Sequence, residues 1–229
     1  MSIFLSVILP VYNESEQLPE LLSHLGRALP AGAEVIFVDG GSTDDSAALV
    51  RAAGFLCLES ESGRARQMNA GAQRAQGDLL LFMHADCRLP IMDWSQLIER
   101  LEHGGCVWGR FDVHIEGRSR LLPMVARAMN LRSRLTGIAT GDQGIFIWRS
   151  VFEAEGGFAD QPLMEDVELS RRLKRRSRPL CIRKKISTSG RQWDQRGVWR
   201  TILLMWRLRW AYWRGADPAV LLRRYRYRD

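Results

Sequence analysis

One stretch constrains this chain more than any other: Leu79-Leu80-Leu81-Phe82-Met83-His84-Ala85-Asp86. An apolar run of strand length, introduced by Gly77-Asp78, stops abruptly in a polar cluster. A strand that is apolar at every position is covered on both faces, as in a parallel sheet between helices. Ligands of such sheets bind just beyond the carboxyl ends of the strands. A carboxylate at that tip can hold a hard cation, Mg²⁺ or Mn²⁺, and through it a diphosphate. Taken alone, Asp86 reads more simply as a polar strand-end residue. The rest of the chain reverses that preference.

The flanking segments repeat the pattern. Ile3–Tyr12 is a β-rich apolar run ended by Asn13-Glu14-Ser15. Leu18, Leu21, Leu22 and Leu25 follow at helical spacing, with Ser15 the expected N-cap. Glu34–Val38 is a second strand, after which Ser42 and Asp45 predict a capping box opening a helix through Ala52. Phe55–Leu58 reads as a third strand. Gly63–Gln76 reads as a helix of small residues bearing Arg64, Arg66 and Asn69. Such alternation requires right-handed crossovers and a mostly parallel sheet, so the polar clusters converge on one rim. Further on, Trp94–His103 reads as a helix, Cys106–Ile115 as a strand, and Ser119–Leu135 as a helix interrupted by Pro123. Ile145–Trp148 is a strand, followed by a short helix at Ser150–Glu155. Glu165-Asp166 opens a helix to about Arg176, acids suiting its positive end, and Leu180–Ile186 is the last strand.

The 229 residues suffice for one α/β domain, expected over 1–190, with a C-terminal helical extension over 191–229. Charge divides the same way. Residues 171–229 carry 19 Lys or Arg against 3 Asp or Glu, whereas residues 1–170 carry 14 against 23. A basic tail on an acidic body points to an anionic partner. From Arg196 the tail reads as a helix with Arg196, Arg200, Arg207 and Arg214 on one stripe and Trp, Leu and Tyr around the remainder. Arg209 interrupts that apolar face. Two fates stand open: the helix lies on a membrane surface or an apolar acceptor, or it packs on the domain. The four cysteines form no C-x-x-C pair, which excludes a zinc ribbon and a disulfide framework and suits a reducing cytoplasm. Met1–Tyr12 lacks a basic n-region and reads as a strand, not a signal peptide.

Five motifs in order then carry a resemblance. They are Pro10-Val11-Tyr12-Asn13-Glu14, Val38-Asp39-Gly40-Gly41-Ser42-Thr43-Asp44, Gly63-Arg64-Ala65-Arg66-Gln67-Met68-Asn69-Ala70-Gly71, His84-Ala85-Asp86 and Glu165-Asp166-Val167-Glu168-Leu169. Together they resemble glycosyltransferase family 2 over roughly residues 3–190. Gly141-Asp142-Gln143-Gly144 and the Arg-Trp-rich ending resemble, within it, small bacterial transferases associated with arsenosugar biosynthesis. The resemblance implies a GT-A fold, a Rossmann-like, mostly parallel sheet flanked by helices, and inversion at the anomeric carbon. It implies that Pro10, Tyr12 and Glu14 border the base and ribose of a nucleotide-diphosphate sugar, a UDP-sugar by preference, and that Asp39 accepts from the base. Arg64 and Arg66 face the diphosphate, with Asn69 on the same helix. Asp142 and Gln143 touch the diphosphate or the acceptor. Asp86 holds Mn²⁺ or Mg²⁺; the family has a second Asp where this chain has His84, an alternative ligand. Asp166 is the general base toward a hydroxyl acceptor, with Glu165 beside it. The setting implied is cytoplasmic, peripheral at the inner face of the plasma membrane.

Other classes remain open at this level. A nucleotidyltransferase would share the sheet and the metal, but it needs a Gly-rich, basic signature that Val7–Glu14 lacks. A non-catalytic protein could use the basic aromatic tail on a membrane or on single-stranded nucleic acid. The acidic body argues against nucleic acid. The sequence has no P-loop and no dinucleotide fingerprint, which argues against NTPase and dehydrogenase readings.

Overall fold

The computed structural model describes residues 5–226. In chain order the first half comprises β1 (Leu5–Val11), α1 (Leu18–Ala28), β2 (Glu34–Asp39), α2 (Ser46–Ala52), β3 (Leu56–Glu59), α3 (Arg64–Arg74), β4 (Leu79–Phe82) and β5 (Cys87–Arg88). The second half comprises α4 (Trp94–His103), β6 (Trp108–Glu116), α5 (Leu122–Thr136), β7 (Ile145–Trp148), α6 (Arg149–Ala154), α7 (Glu165–Leu173), β8 (Leu180–Ser189), α8 (Arg191–Arg196), α9 (Val198–Trp213) and α10 (Pro218–Arg226). A single 3₁₀ turn at Gly141–Gln143 precedes β7.

The strands form one sheet in the order β3-β2-β1-β4-β7-β6-β8-β5. β1 pairs in parallel with β2 and β4, and β2 with β3, as the crossovers require. β7 then runs antiparallel to β4 and β6, while β6 and β8 are parallel. The chain leaves β1 toward β2 on one side and returns to β4 on the other. This is the switch point at which open α/β sheets bind ligands. Register puts Val11 opposite Asp39 and Ile8 opposite Phe82, so the tips of β1, β2 and β4 share one rim.

Strand alternation explains the unbroken apolar runs. Val7, Leu9, Leu79 and Leu81 face a core built with α1, α4 and α5. Ile8, Leu80 and Phe82 face the opposite core, built with α3, α6 and α7. Both faces are buried, so no polar position is left in β4.

Several local expectations change. α1 begins at Leu18 with Gln17 at its N-cap and no capping side chain, because the Ser15 N–H instead donates to Asp44 Oδ2. α2 begins only at Ser46, because the Ser42 hydroxyl turns back to Asp39. Pro123 lies in the first turn of α5 and interrupts nothing, since its missing N–H would be unpaired there in any case. The tail holds three helices, α8, α9 and α10, the first two broken at Gly197, whose φ of 83° no side-chain-bearing residue adopts readily. β5, two residues long, was not legible in the sequence. Ile3, the expected start of the first strand, lies outside the described residues.

Candidate active site

Two loops at the tips of β1 and β2 are laced together by backbone donors. Asn13, in the left-handed region at φ 53°, donates from its N–H to Ser42 Oγ and accepts from the Thr43 N–H. The Glu14 N–H donates to Ser46 Oγ. Asp39, almost fully buried, accepts from the Gly41 and Ser42 N–H groups and from the Ser42 hydroxyl. Three donors leave one of a carboxylate's roughly four lone-pair positions open. Beneath these loops Gln67 Nε2 donates to both Val11 O and Val38 O at 2.8 Å, clamping the two strand ends. Gly40 is required above it, since a Cβ there would lie 2.9 Å from the Gln67 amide. Pro10 is buried in β1, and Tyr12 stands exposed on the rim. Glu14 accepts from Gln17 Nε2, and burial, reinforced by Asp86, raises its pKa.

α3 divides its polar residues between two tasks. Arg64 lies in the field of Glu165, Asp142, Tyr225 and Asp86; desolvation opposes its charge and these groups more than offset that. Arg66 is turned away, its guanidinium held by Asp160 at 2.8 Å and by Glu61. Asn69 is also engaged, exchanging two hydrogen bonds with the backbone of Phe158. That pairing fixes the turn ahead of α7.

At the tip of β4, His84 and Asp86 diverge. His84 Nδ1 is 3.5 Å from Asp142 Oδ1, and its other nitrogen packs on Gly141, where a Cβ would come within 2.3 Å of Nε2. Burial and Arg64 work against the imidazolium, yet Asp142 and Asp86 prevail and its pKa is raised. His84 thus clasps the tip of β4 onto the 3₁₀ turn through Asp142. Asp86 is half-buried and, among the described residues, receives the Cys87 thiol alone. Among the described residues no group of three or more His, Cys, Asp or Glu side chains could hold a metal ion. One open carboxylate fits Mg²⁺ or Mn²⁺ in the manner of sites completed by substrate phosphates. Gln143 is fully buried and closes a capping box with Thr140, so it faces the core and not a ligand.

Glu165 and Asp166 open α7 after Met164, which sits in the left-handed region at φ 66°. Such strain in a residue with a side chain costs on the order of 1–3 kcal/mol and concentrates at functional sites. Asp166 accepts from the Gly141 N–H at 2.8 Å and from the Val167 N–H. Burial raises the pKa of Asp166, and those two donors partly counter it. Burial also raises that of Glu165, and Asp166 adds to the rise. The pair, with His84, Gly141, Phe82 and Phe158, lines one small pocket. A larger groove of about 710 Å³ opens beyond Gln17 and Arg88 toward Arg118 and Arg191.

The comparisons with known proteins bear on this rim. The family model described as "Glycosyl transferase family 2" matches residues 6–154. The chain belongs to glycosyl transferase family 2. Among curated relatives, the undecaprenyl-phosphate 4-deoxy-4-formamido-L-arabinose transferase of Pseudomonas paraeruginosa is 34% identical over 165 residues, 65% of this chain and 48% of its own. That of Yersinia enterocolitica is 32% identical over 154 residues, 62% of this chain and 47% of its own. The chain thus spans about half the length of the curated relatives it matches. Among solved structures, S. aureus TarS superposes with a TM-score of 0.66 at 17% identity, covering 82% of this chain and 61% of that one. The mannosyltransferase PcManGT from Pyrobaculum calidifontis, in complex with GDP-Man and Mn2+, gives 0.64 at 20% identity, covering 90% and 60%. The fold is therefore GT-A, as the family resemblance implied. These relatives are undecaprenyl-phosphate sugar transferases, not transferases associated with arsenosugar biosynthesis, so that finer resemblance gives way to the family itself.

Three features of the site carried no sequence signal that was read. Arg132, on α5, buries Nε and Nη2 without a hydrogen-bond partner among the described residues, and desolvation lowers its pKa against the pull of Asp166. Arg110, wholly buried in β6, is paired with Asp112, which also receives Arg134. Tyr225, on α10, accepts from Gln192 at 2.6 Å and lies under the Arg196 guanidinium. An arginine inside an apolar strand such as Val107–Phe111 was the available clue for the second.

Proposed function

We propose that this chain is an inverting glycosyltransferase that moves a sugar from a nucleotide-diphosphate sugar, a UDP-sugar by preference, to a hydroxyl acceptor. The observation that carries the reading is the meeting of Asp86, Arg64, Asp142 and the Glu165–Asp166 pair in one another's field at the sheet's switch point. Tyr12, Pro10, Glu14 and the open lone pair of Asp39 would receive the nucleoside. Arg64 would lie along the diphosphate, a geometry guanidinium groups match. A Mn²⁺ or Mg²⁺ ion held by Asp86 and the diphosphate oxygens would supply charge neutralisation for the leaving group. Asp166 takes the acceptor proton, with Glu165 beside it. The relatives' names couple sugar transfer to a membrane lipid, and peripheral association with the cytoplasmic membrane belongs to this reading.

Titration calorimetry with UDP, in Mn²⁺ and in EDTA, tests the donor half. Affinity that falls in EDTA and is lost in Asp86→Ala supports it; equal affinity in both removes the metal.

A second reading has Arg132 in its favour. Two buried donors without partners cost about 1–3 kcal/mol each, an expense that an anionic ligand would relieve. The relatives are named for undecaprenyl phosphate. An acceptor phosphate is already ionised at neutral pH and needs no base. Under this reading Arg132→Gln abolishes turnover and Asp166→Asn does not; under the first the order is reversed.

A further inference from the structure

α9 presents two faces of different character. Val198, Thr201, Leu204 and Leu208 are buried. Trp199, Leu203, Trp206, Trp210 and Trp213 stand 57 to 75% exposed. Spacings of four and three residues put these five on one line, and at roughly 100° per residue that line runs opposite the buried face. The ladder is about 21 Å long at the rise of an α-helix. Single exposed apolar residues need no explanation, but a contiguous row of this size marks an interaction surface.

Charge decides the occupant. At the same helical spacing, exposed Arg200, Arg207 and Arg214 flank one side of the ladder and Arg209 the other. The Arg214 guanidinium lies 4.9 Å over the Trp210 ring. No Asp or Glu occurs between residues 195 and 216. A second copy docked on this face would set arginine against arginine with no acid to pair them. A bilayer carrying anionic lipid offers the complement on both counts: indole rings settle at the headgroup level, and each arginine near the surface gains attraction from anionic lipid. The helix has 16 residues, and no described helix is long and apolar enough to cross a membrane, so it lies in the interface plane.

We propose that the Trp199–Trp213 ladder docks this protein on an anionic bilayer, α9 lying flat with its opposite face holding the domain. The docking specifies the partner of the proposed transferase and rests on that reading only for its purpose. The orientation has a consequence for the site. The buried face of α9 packs with Met164 and Val167, which bracket Glu165 and Asp166, so the two acids lie directly behind the docked helix.

The test is flotation of the full chain with vesicles of phosphatidylcholine alone and of phosphatidylcholine with phosphatidylglycerol. Wild type is expected to float with the anionic vesicles at low salt, with a blue shift of tryptophan emission, and not with neutral ones. Trp199→Ser/Trp206→Ser/Trp213→Ser should abolish flotation. Arg200→Gln/Arg207→Gln/Arg214→Gln should weaken it roughly tenfold to a hundredfold. These residues are exposed, and an unchanged melting temperature shows that the variants fold. Wild type that floats with neither vesicle overturns the proposal, as does flotation equal in wild type and the tryptophan variant. A dimer in sedimentation that the tryptophan variant dissociates, without vesicle binding, assigns the ladder to self-association. Sugar transfer without vesicle binding overturns the docking and leaves the transferase reading standing.

Discussion

Asp166 is where the chemistry is most exposed to measurement. A carboxyl whose folded pKa is raised favours the protonated fold. Its contribution to stability is whole below the ordinary value of 3.8 and is lost as pH climbs through the folded value. Activity runs the other way, because a base must be ionised, so kcat/KM is expected to rise with pH through that same raised value. Asp166→Asn should remove this pH-dependent loss of stability, seen in melts across pH, and lower kcat by about 10²–10⁴ with donor binding unchanged. Near-wild-type turnover would shift the role to Glu165 or Asp142, or favour the phosphate acceptor. At this scale the sequence was legible wherever a residue's place follows from its element: Asp86 lies just beyond a strand and Glu165-Asp166 at a helix start. It was illegible where a distant partner decides. Arg66 has the right charge and helix for a diphosphate, but Asp160, 94 residues away, takes it. Asn69 and Gln143 are likewise engaged by a backbone turn and a capping box. No spacing rule announces such partners.

Between elements, the contact that organises the site is the clasp of β4's tip on the 3₁₀ turn. His84 gains an acidic partner in the fold, so its raised pKa makes a contribution that is present below pH 6.5 and lost as pH rises through the folded value. Asp142→Asn is therefore expected to flatten the fall of melting temperature above pH 6.5, read by calorimetry against wild type. Gly141→Ala tests the same contact sterically. With its Cβ 2.3 Å from Nε2, the imidazole has to leave its place, at a cost of about 1–3 kcal/mol, and the Gly141 N–H loses its aim on Asp166. Donor binding at the β1 and β2 tips should survive while turnover falls; a variant with wild-type stability and rate would show the clasp to be incidental. Element type and order were readable from periodicity, because strands buried on both faces leave no other pattern. Element starts were less so: Ser15 and Ser42 have the composition of caps, but the Ser15 N–H is given to Asp44 and the Ser42 hydroxyl to Asp39.

Over the whole molecule, the basic C-terminal helices are built into the fold next to the chemistry. Leu204, Leu208 and Leu221 form one cluster with Met164, the strained residue immediately before Glu165. α9 and α10 thereby pack directly against the start of α7. The sequence could not say which side of α9 packs inward, because leucine, methionine and tryptophan surround the helix almost completely. The structure turns Leu204 and Leu208 inward and Leu203 and the four tryptophans outward, and so satisfies the packing fate while leaving a second face exposed. This sorting makes the last prediction a contrast. Leu208, 3% exposed, should cost about 2–5 kcal/mol as Leu208→Ala, because a cavity opens beneath Met164. Trp206, 72% exposed, removes a larger side chain, yet Trp206→Ala should stay within about 0.5 kcal/mol of wild type in urea melts. The rates should divide likewise, in an assay with donor and a soluble acceptor and no vesicles. Leu208→Ala loosens the segment that aims Asp166 and lowers kcat, whereas Trp206→Ala leaves it alone. If both melt and turn over as wild type does, α9 is a passenger on the domain and the strain at Met164 is held by something else. If Trp206→Ala is the more damaging, the outward face is part of the folded core's support, and the division of α9 into a packing face and a docking face fails.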